Sequence, residues 1–245
     1  MKVLFVGPSL AGVQWDCTGI DVRPPARQGD IHLAVLRGAR AIGLVDGVFG
    51  FVPSVWHKEI LHALSQGVRV LGGASIGALR AAECAAYGME PVGEIAADYL
   101  AGRRTDDADV CLAHCPEELG FAPLSEPLVD AEATIAVLPV DDGTRQSLNL
   151  AARALYFDER TIEAMVAMAG APHTVGELYR RHRIGAKSRD ALAVLARLRA
   201  LPEGRTAPPS DWRFRASQPW QHYLSRLAPP ADELHSSADA VPPGR

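Results

Sequence analysis

Residues 69–83 read RVLGGASIGALRAAE. A short β-branched run meets paired glycines, then Ser75, then an alanine-rich amphipathic stretch, which is the pattern of a strand turning directly into a helix. Gly73-Ala74-Ser75-Ile76-Gly77 has the spacing of a G-x-S-x-G corner. Small residues there let the backbone turn sharply and present a hydroxyl at the carboxyl end of a sheet. Three uses of Ser75 fit the corner. It can cap the helix through backbone N–H groups. It can contact a phosphate, although the Walker lysine is absent. It can be a nucleophile, with the amides of Ile76 and Gly77 and the helix dipole stabilising an oxyanion.

The surroundings of this corner repeat its alternation. KVLFV (2–6) reads as a buried strand, IHLAVLRGA as a short helix with Asp30 at its N-cap, and AIGLV (41–45) as a second strand closed by Asp46-Gly47. PSVWHKEILHALSQG (53–67) has a helical pattern with Pro53 early and Gly67 at the stop, VRVL (68–71) is a third strand, and 76–88 is the following helix. Strands alternating with helices over short loops imply an α/β fold, with a mostly parallel sheet flanked by helices. Further on the pattern is helical, over EIAADYLAG, 144–169, 173–182 and 188–200, while TDDADVCLAHC suggests an acidic loop leading into another strand. These patterns divide the chain into an α/β core over 1–140, a helical C-terminal extension over 141–201, and a Pro-rich tail over 202–245 with a disordered end. Within that tail WRFRASQPWQHYLSRL carries aromatics suited to docking.

Composition excludes some functions. The formal net charge of −4 comes with both signs interspersed, so no clustered positive surface awaits nucleic acid. No uncharged stretch is long enough for a bilayer, and the apolar run of MKVLFVGPSL is too short for a secretory signal. Cys17, Cys84, Cys111 and Cys115 lack CxxC spacing. Free thiols and a cytoplasmic location are the expectation. Cys111, His114 and Cys115 do not have the spacing of a zinc site, so no metal is expected, and a sulfur-bearing thiol is the alternative use of those cysteines.

A nucleophilic serine needs a base. His114, His173 and His182 follow it in the chain without telling contexts. Lys58 in WHKEI offers another arrangement, because a lysine desolvated beside Trp56 and Ile60 can accept a proton from a serine. On helical spacing Lys58 points away from the Trp56–Ile60–Leu64 face, so it reaches a buried site only if a second face is covered too. Asp46 follows a strand at the end where ligands of parallel sheets collect. Arg27 and Asp30 lie in PPARQGD, Arg80 and Glu83 form an i, i+3 pair beyond Ser75, and His57 precedes the lysine. Each is equally an ordinary solvated charge. Arg80 and Arg27 are candidates for holding an anionic ligand, with Asp46 and His57 in support.

The ordered blocks PPARQGDI, ARAIGLVDGVF, VPSVWHKEILHAL, GVRVLGGASIGALRAAE, YGM and TDDADV with ELGFAPLSEPLVD resemble the TfuA-like family over about residues 1–140. That resemblance implies work beside YcaO enzymes, the ATP-using relatives of peptide cyclodehydratases, in making backbone thioamides. It implies sulfur delivery from a thiocarboxylated ThiS-type carrier and help for YcaO in engaging its precursor peptide. It implies a hydrolase-like Ser–Lys pair, matched here by Ser75 and Lys58, and no cofactor of the protein's own, ATP being used by YcaO. Two other readings stay open: a non-catalytic adaptor that activates YcaO, with Ser75 a helix cap, and a nucleotide- or small-molecule-binding module.

Overall fold

The computed structural model describes residues 1–48, 50 and 52–227. Five strands, β1 (Lys2–Phe5), β2 (Asp21–Arg23), β3 (Ala41–Leu44), β4 (Arg69–Gly72) and β5 (Glu90–Pro91), lie in the order β2-β1-β3-β4-β5 with every pairing parallel. The α/β architecture expected from the alternating pattern is what the chain adopts. The edge strands were not visible in that pattern. β2 and β5 are short and partly charged, and they are strands because β1 and β4 offer them a ladder.

Side chains of a strand alternate between faces, and here both faces are apolar. Val3, Phe5, Ile42 and Leu44 pack with Ile31 and Val35 of α1 (Asp30–Leu36) and with Ile60 and Ala63 of α2 (His57–Ser65). Leu4, Val6, Val45 and Leu71 face the other way and pack with Val194, Leu195 and Leu198 of α9 (Ala186–Ala200). The second layer of the sandwich is therefore completed by a helix from late in the chain. At the border between the layers, α3 (Ile76–Cys84) packs on α4 (Glu94–Leu100) through Ala78, Ile95 and Ala96.

A separate apolar cluster joins α5 (Leu128–Val137), α6 (Asp142–Ala154), α7 (Ile162–Met168) and α8 (Thr174–Arg181) around Ile135, Leu148, Met165 and Tyr179. The helical reading of 144–169 resolves into two helices. The break between them is occupied by Arg160, whose guanidinium donates to the carbonyls of Ala152, Leu155 and Glu126. The donations to Ala152 and Leu155 satisfy carbonyls at the C-terminal end of α6 from a buried position.

Some local expectations are corrected. Asp30 is the first helical residue of α1 rather than its N-cap, which is Gly29 at φ 106°. α2 begins at His57, with Pro53 outside it, because Glu59 reaches back to the Trp56 amide and closes the helix start there. TDDADVCLAHC forms a 3-10 turn at Asp107–Asp109 and an isolated bridge at His114 instead of a strand.

Met1–Trp212 is one compact unit and Arg213–Arg245 a second. In the second, α10 (Gln218–Leu227) brings Trp220 to 5.2 Å from the rings of both Phe214 and Tyr223. The expected disordered end of the tail lies outside the described residues. Among the described residues, no helix is long and apolar enough to cross a membrane.

Candidate functional site

In a parallel sheet of this order the chain reverses direction between β1 and β3, and ligands gather in the crevice beyond their carboxyl ends. Asp46 stands there, two residues after the end of β3 and 1% exposed. Its carboxylate accepts hydrogen bonds from the amides of Gly7 (2.8 Å) and Ser9 (3.0 Å) and from the Ser9 hydroxyl (2.7 Å). Those three bonds hold the turn that leaves β1 against the end of β3. Asp46 is thus a positioning residue, and it also lines the cleft above it.

Ser75 stands at the adjoining corner, 4% exposed. Leaving β4, the chain makes a tight turn in which the Ser75 amide donates to the Gly73 carbonyl at 2.8 Å, with Ala74 held at φ 64°. A non-glycine residue at such a φ stores strain that the surrounding packing must hold in place, and Ala74 is fully buried. The turn can be this close because Gly77 has no side chain: a Cβ there would lie 1.8 Å from the Leu44 carbonyl oxygen. The Ser75 hydroxyl makes no cap bond with α3 and has no hydrogen-bond partner among the described residues.

The helix opening satisfies most of its own amides. Gly77 N–H donates to the Val45 carbonyl at 3.1 Å, and Ala78 N–H to the Ser75 carbonyl at 2.8 Å. Gly77 is therefore corrected from oxyanion donor to close-packing residue, since its proton is already engaged. The Ile76 amide is the one of the expected pair without a partner among the described residues.

Ser75 and Asp46 line a cleft of about 410 Å³ whose other walls include Val110, Cys111, Leu112, Phe157 and Lys187. Lys187, 2% exposed, donates from Nζ to the Val110 carbonyl at 2.7 Å, while its backbone amide donates to Asp130 at 2.8 Å. Burial pushes the Asp130 carboxyl up to about 6, against the lowering effect of that amide and of the Lys187 charge. Sequence reasoning passed over Lys187. One signal was available: it opens an amphipathic helix, where the dipole disfavours a cation.

The other expected residues are distributed differently. Lys58 is half-buried at the second position of α2, which follows β3 and so starts at the carboxyl end of the sheet. It shares that end with Ser75, yet it is not among the described residues lining the cleft. His57 Nε2 lies 2.8 Å from Glu83, which also accepts from Arg80 at 2.7 Å, and Arg80 Nε donates to the Val55 carbonyl at 3.0 Å. Arg80 and His57 thereby tie α2 to α3. Arg27 is largely exposed and its guanidinium lies 4.0 Å from Asp30. Neither arginine is among the described residues lining the cleft.

The cysteine cluster is also resolved into separate environments. Cys111 donates to the Asp107 carbonyl, and burial pushes its thiol up to about 12, which keeps it protonated at neutral pH and a poor nucleophile. His114 sits with Nδ1 2.7 Å from the Cys115 carbonyl and its ring against Phe121. Among the described residues no group of three or more His, Cys, Asp or Glu side chains could hold a metal ion.

Fold and site together define a doubly wound parallel α/β protein with a buried serine at a helix N-terminus, opening into a cleft at the carboxyl end of its sheet. Residues 46–161 match the family model for TfuA-like proteins, and over that stretch the chain is similar to that family. The matched stretch contains Asp46, Lys58, Ser75 and Cys111 and ends before Lys187. It starts later and ends later than the quoted blocks had indicated. The match supports a role associated with YcaO-type peptide thioamidation. No curated protein matches the chain.

Proposed function

We propose that this protein delivers sulfur for YcaO-dependent backbone thioamidation by hydrolysing a thiocarboxylated ThiS-type carrier, with Ser75 as the nucleophile. The observation that carries the reading is the state of Ser75. A buried hydroxyl without a partner, opening into a cleft at a helix N-terminus, has no capping role to perform. The Ser75 Oγ opens into the cleft, where a ligand can reach it, so the hydroxyl is left for chemistry rather than for capping.

In the proposed reaction Oγ attacks the thiocarboxylate carbon. The C–O bond forms as the C–S bond breaks, and the hydroxyl proton passes through the base to the departing sulfur, which leaves as hydrosulfide. Water then cleaves the ester, restoring Ser75 and freeing the carrier as its carboxylate with one proton. In this reading the Ile76 amide, at the positive end of α3, stabilises the developing oxyanion. Lys58 is the proposed base. It works only where its side chain turns from α2 into the cleft. The hydrosulfide passes to the peptide amide that the YcaO partner has activated with ATP.

The experiment is sulfide release from the thiocarboxylated carrier by the wild type, Ser75→Ala and Lys58→Ala, each checked for folding by thermal melting. Release lost in both variants supports the pair. Release lost in Ser75→Ala alone moves the base elsewhere. Undiminished release in Ser75→Ala leaves the protein an adaptor of YcaO.

A further inference from the structure

We infer that Lys187 receives the anionic end of the ligand, making the cleft at Ser75 a site for a chain that terminates in a carboxylate or thiocarboxylate. The inference deepens the preceding reading and rests on it for the identity of the carrier. Its physical basis is a cation in an expensive position. Lys187 is 2% exposed and lines the same cleft as Ser75. Its ammonium has three donors, of which the Val110 carbonyl takes one. Among the described residues no carboxylate forms an ion pair with that ammonium; Asp130, which feels its charge, accepts a hydrogen bond from the backbone amide of Lys187.

A buried charge without a close ion pair is costly, and this one also sits in the first turn of the 15-residue α9, where the dipole opposes it. An incoming anion removes both penalties at once. The same cleft is lined by Ser75, the N-cap residue of the nine-residue α3, whose hydroxyl makes no cap bond. Lys187 is the one Lys or Arg among the described residues lining the cleft; Asp46 is held by Gly7 and Ser9, Asp158 lines the wall as well, and Val110, Leu112 and Phe157 supply apolar surface. The basic side chains that the sequence offered for this task, Arg80 and Arg27, are tied to Glu83 and Asp30 outside the cleft. An anion anchored at Lys187 presents its terminal carbon toward Ser75, which gives the lysine a part in orientation as well as in affinity.

The test is the affinity of the full chain for two forms of a ThiS-type carrier, one ending in its carboxylate and one in a neutral amide, measured by calorimetry. Wild type and Ser75→Ala are expected to bind the carboxylate form at least about tenfold more tightly. Lys187→Gln is expected to bind both forms alike, and Lys187→Arg to restore most of the preference. A wild type that does not distinguish the two ends, or a folded Lys187→Gln that keeps the preference, overturns the inference. Should Lys187→Gln fail to fold, the two carrier ends on wild type and Lys187→Arg decide. Carboxylate preference without any sulfide release sinks the hydrolysis reading and leaves Lys187 in its role. Sulfide release without carboxylate preference does the reverse.

Discussion

The helices α3 and α7 both begin after a hydroxyl residue, and they use it in opposite ways. Thr161 precedes α7 with φ −92° and ψ 161°, and its Oγ1 accepts from the Ala164 amide at 3.1 Å. Asp141 does the same for α6, accepting from Thr144 at 2.9 Å. Ser75 precedes α3 with φ −116° and ψ −132°, and it caps nothing. The backbone explains the difference. After the strained Ala74, the amides that a cap would serve are taken by carbonyls, Gly77 by Val45 and Ala78 by Ser75 itself. Residue type alone thus does not make a cap; a vacant amide within reach does. At α3 the vacancy has been filled from β3, and the hydroxyl is left for the cleft.

The strongest way to break this comparison is to remove each hydroxyl in turn. Ser75→Ala is expected to reduce sulfide release by about a thousandfold or more, with stability within roughly 0.5 kcal/mol of wild type in urea unfolding. A Ser75→Ala protein destabilised like a lost cap, with its release intact, would erase the distinction. Next in size is Gly77→Ala. With its Cβ 1.8 Å from the Leu44 oxygen, it is expected to destabilise by on the order of 3 kcal/mol and to lower the yield of folded protein. If its melting curve matched wild type, the tight corner would not be needed. Thr161→Ala and Asp141→Ala should each cost about 1 kcal/mol while release continues at the wild-type rate. Activity loss in either would join the helical cluster to the chemistry.

In the pH dependence the half-buried His62 and the buried Asp130 pull in opposite directions, so the net effect on the wild type is small. Burial, with help from His32 and Arg205, holds His62 down to about 4 from its ordinary 6.5. The unfolded chain therefore binds more protons there, so this contribution is complete above pH 6.5 and declines as pH falls toward 4. Asp130 is raised from 3.8 to about 6, so the folded state holds the extra proton, and its contribution is fullest below pH 4 and is lost as pH rises through 6. Melting temperatures taken from pH 7 to pH 4 should fall less steeply for His62→Gln than for wild type, and more steeply for Asp130→Asn. Identical slopes for all three proteins would show that neither group is shifted by its surroundings.

The central sheet was legible because its signals are local. The alternation of Val3 and Phe5 with Leu4 and Val6 marks a strand covered on both faces, and the Gly73–Gly77 spacing marks the corner that holds Ser75. Periodicity also placed Lys58 correctly off the apolar face of α2. What escaped depended on partners distant in the chain. Glu90–Pro91 is a strand only beside Leu71 and Gly72. The Gly77 amide looked available because nothing in its own segment announces that the Val45 carbonyl will occupy it. The amphipathic pattern of α9 was visible, yet a stripe of alanine, valine and leucine does not say which surface it will meet. Only the fold brings Lys187 to the serine, and only the fold ties Arg80 to Glu83.

The position of α9 bears on any attempt to move this site elsewhere. One helix closes the second face of the sheet through Val194, Leu195 and Leu198 and, at its first turn, supplies the buried lysine of the cleft. A fragment ending at residue 161, where the family match stops, would lose both together, exposing Leu4, Val6 and Leu71 to water as it discarded the cation. The site is therefore not a cassette. Grafting the serine corner onto another scaffold would require the late helix as well, and a gene fusion or truncation that frees the chain after residue 161 would be expected to yield aggregate rather than a smaller working protein.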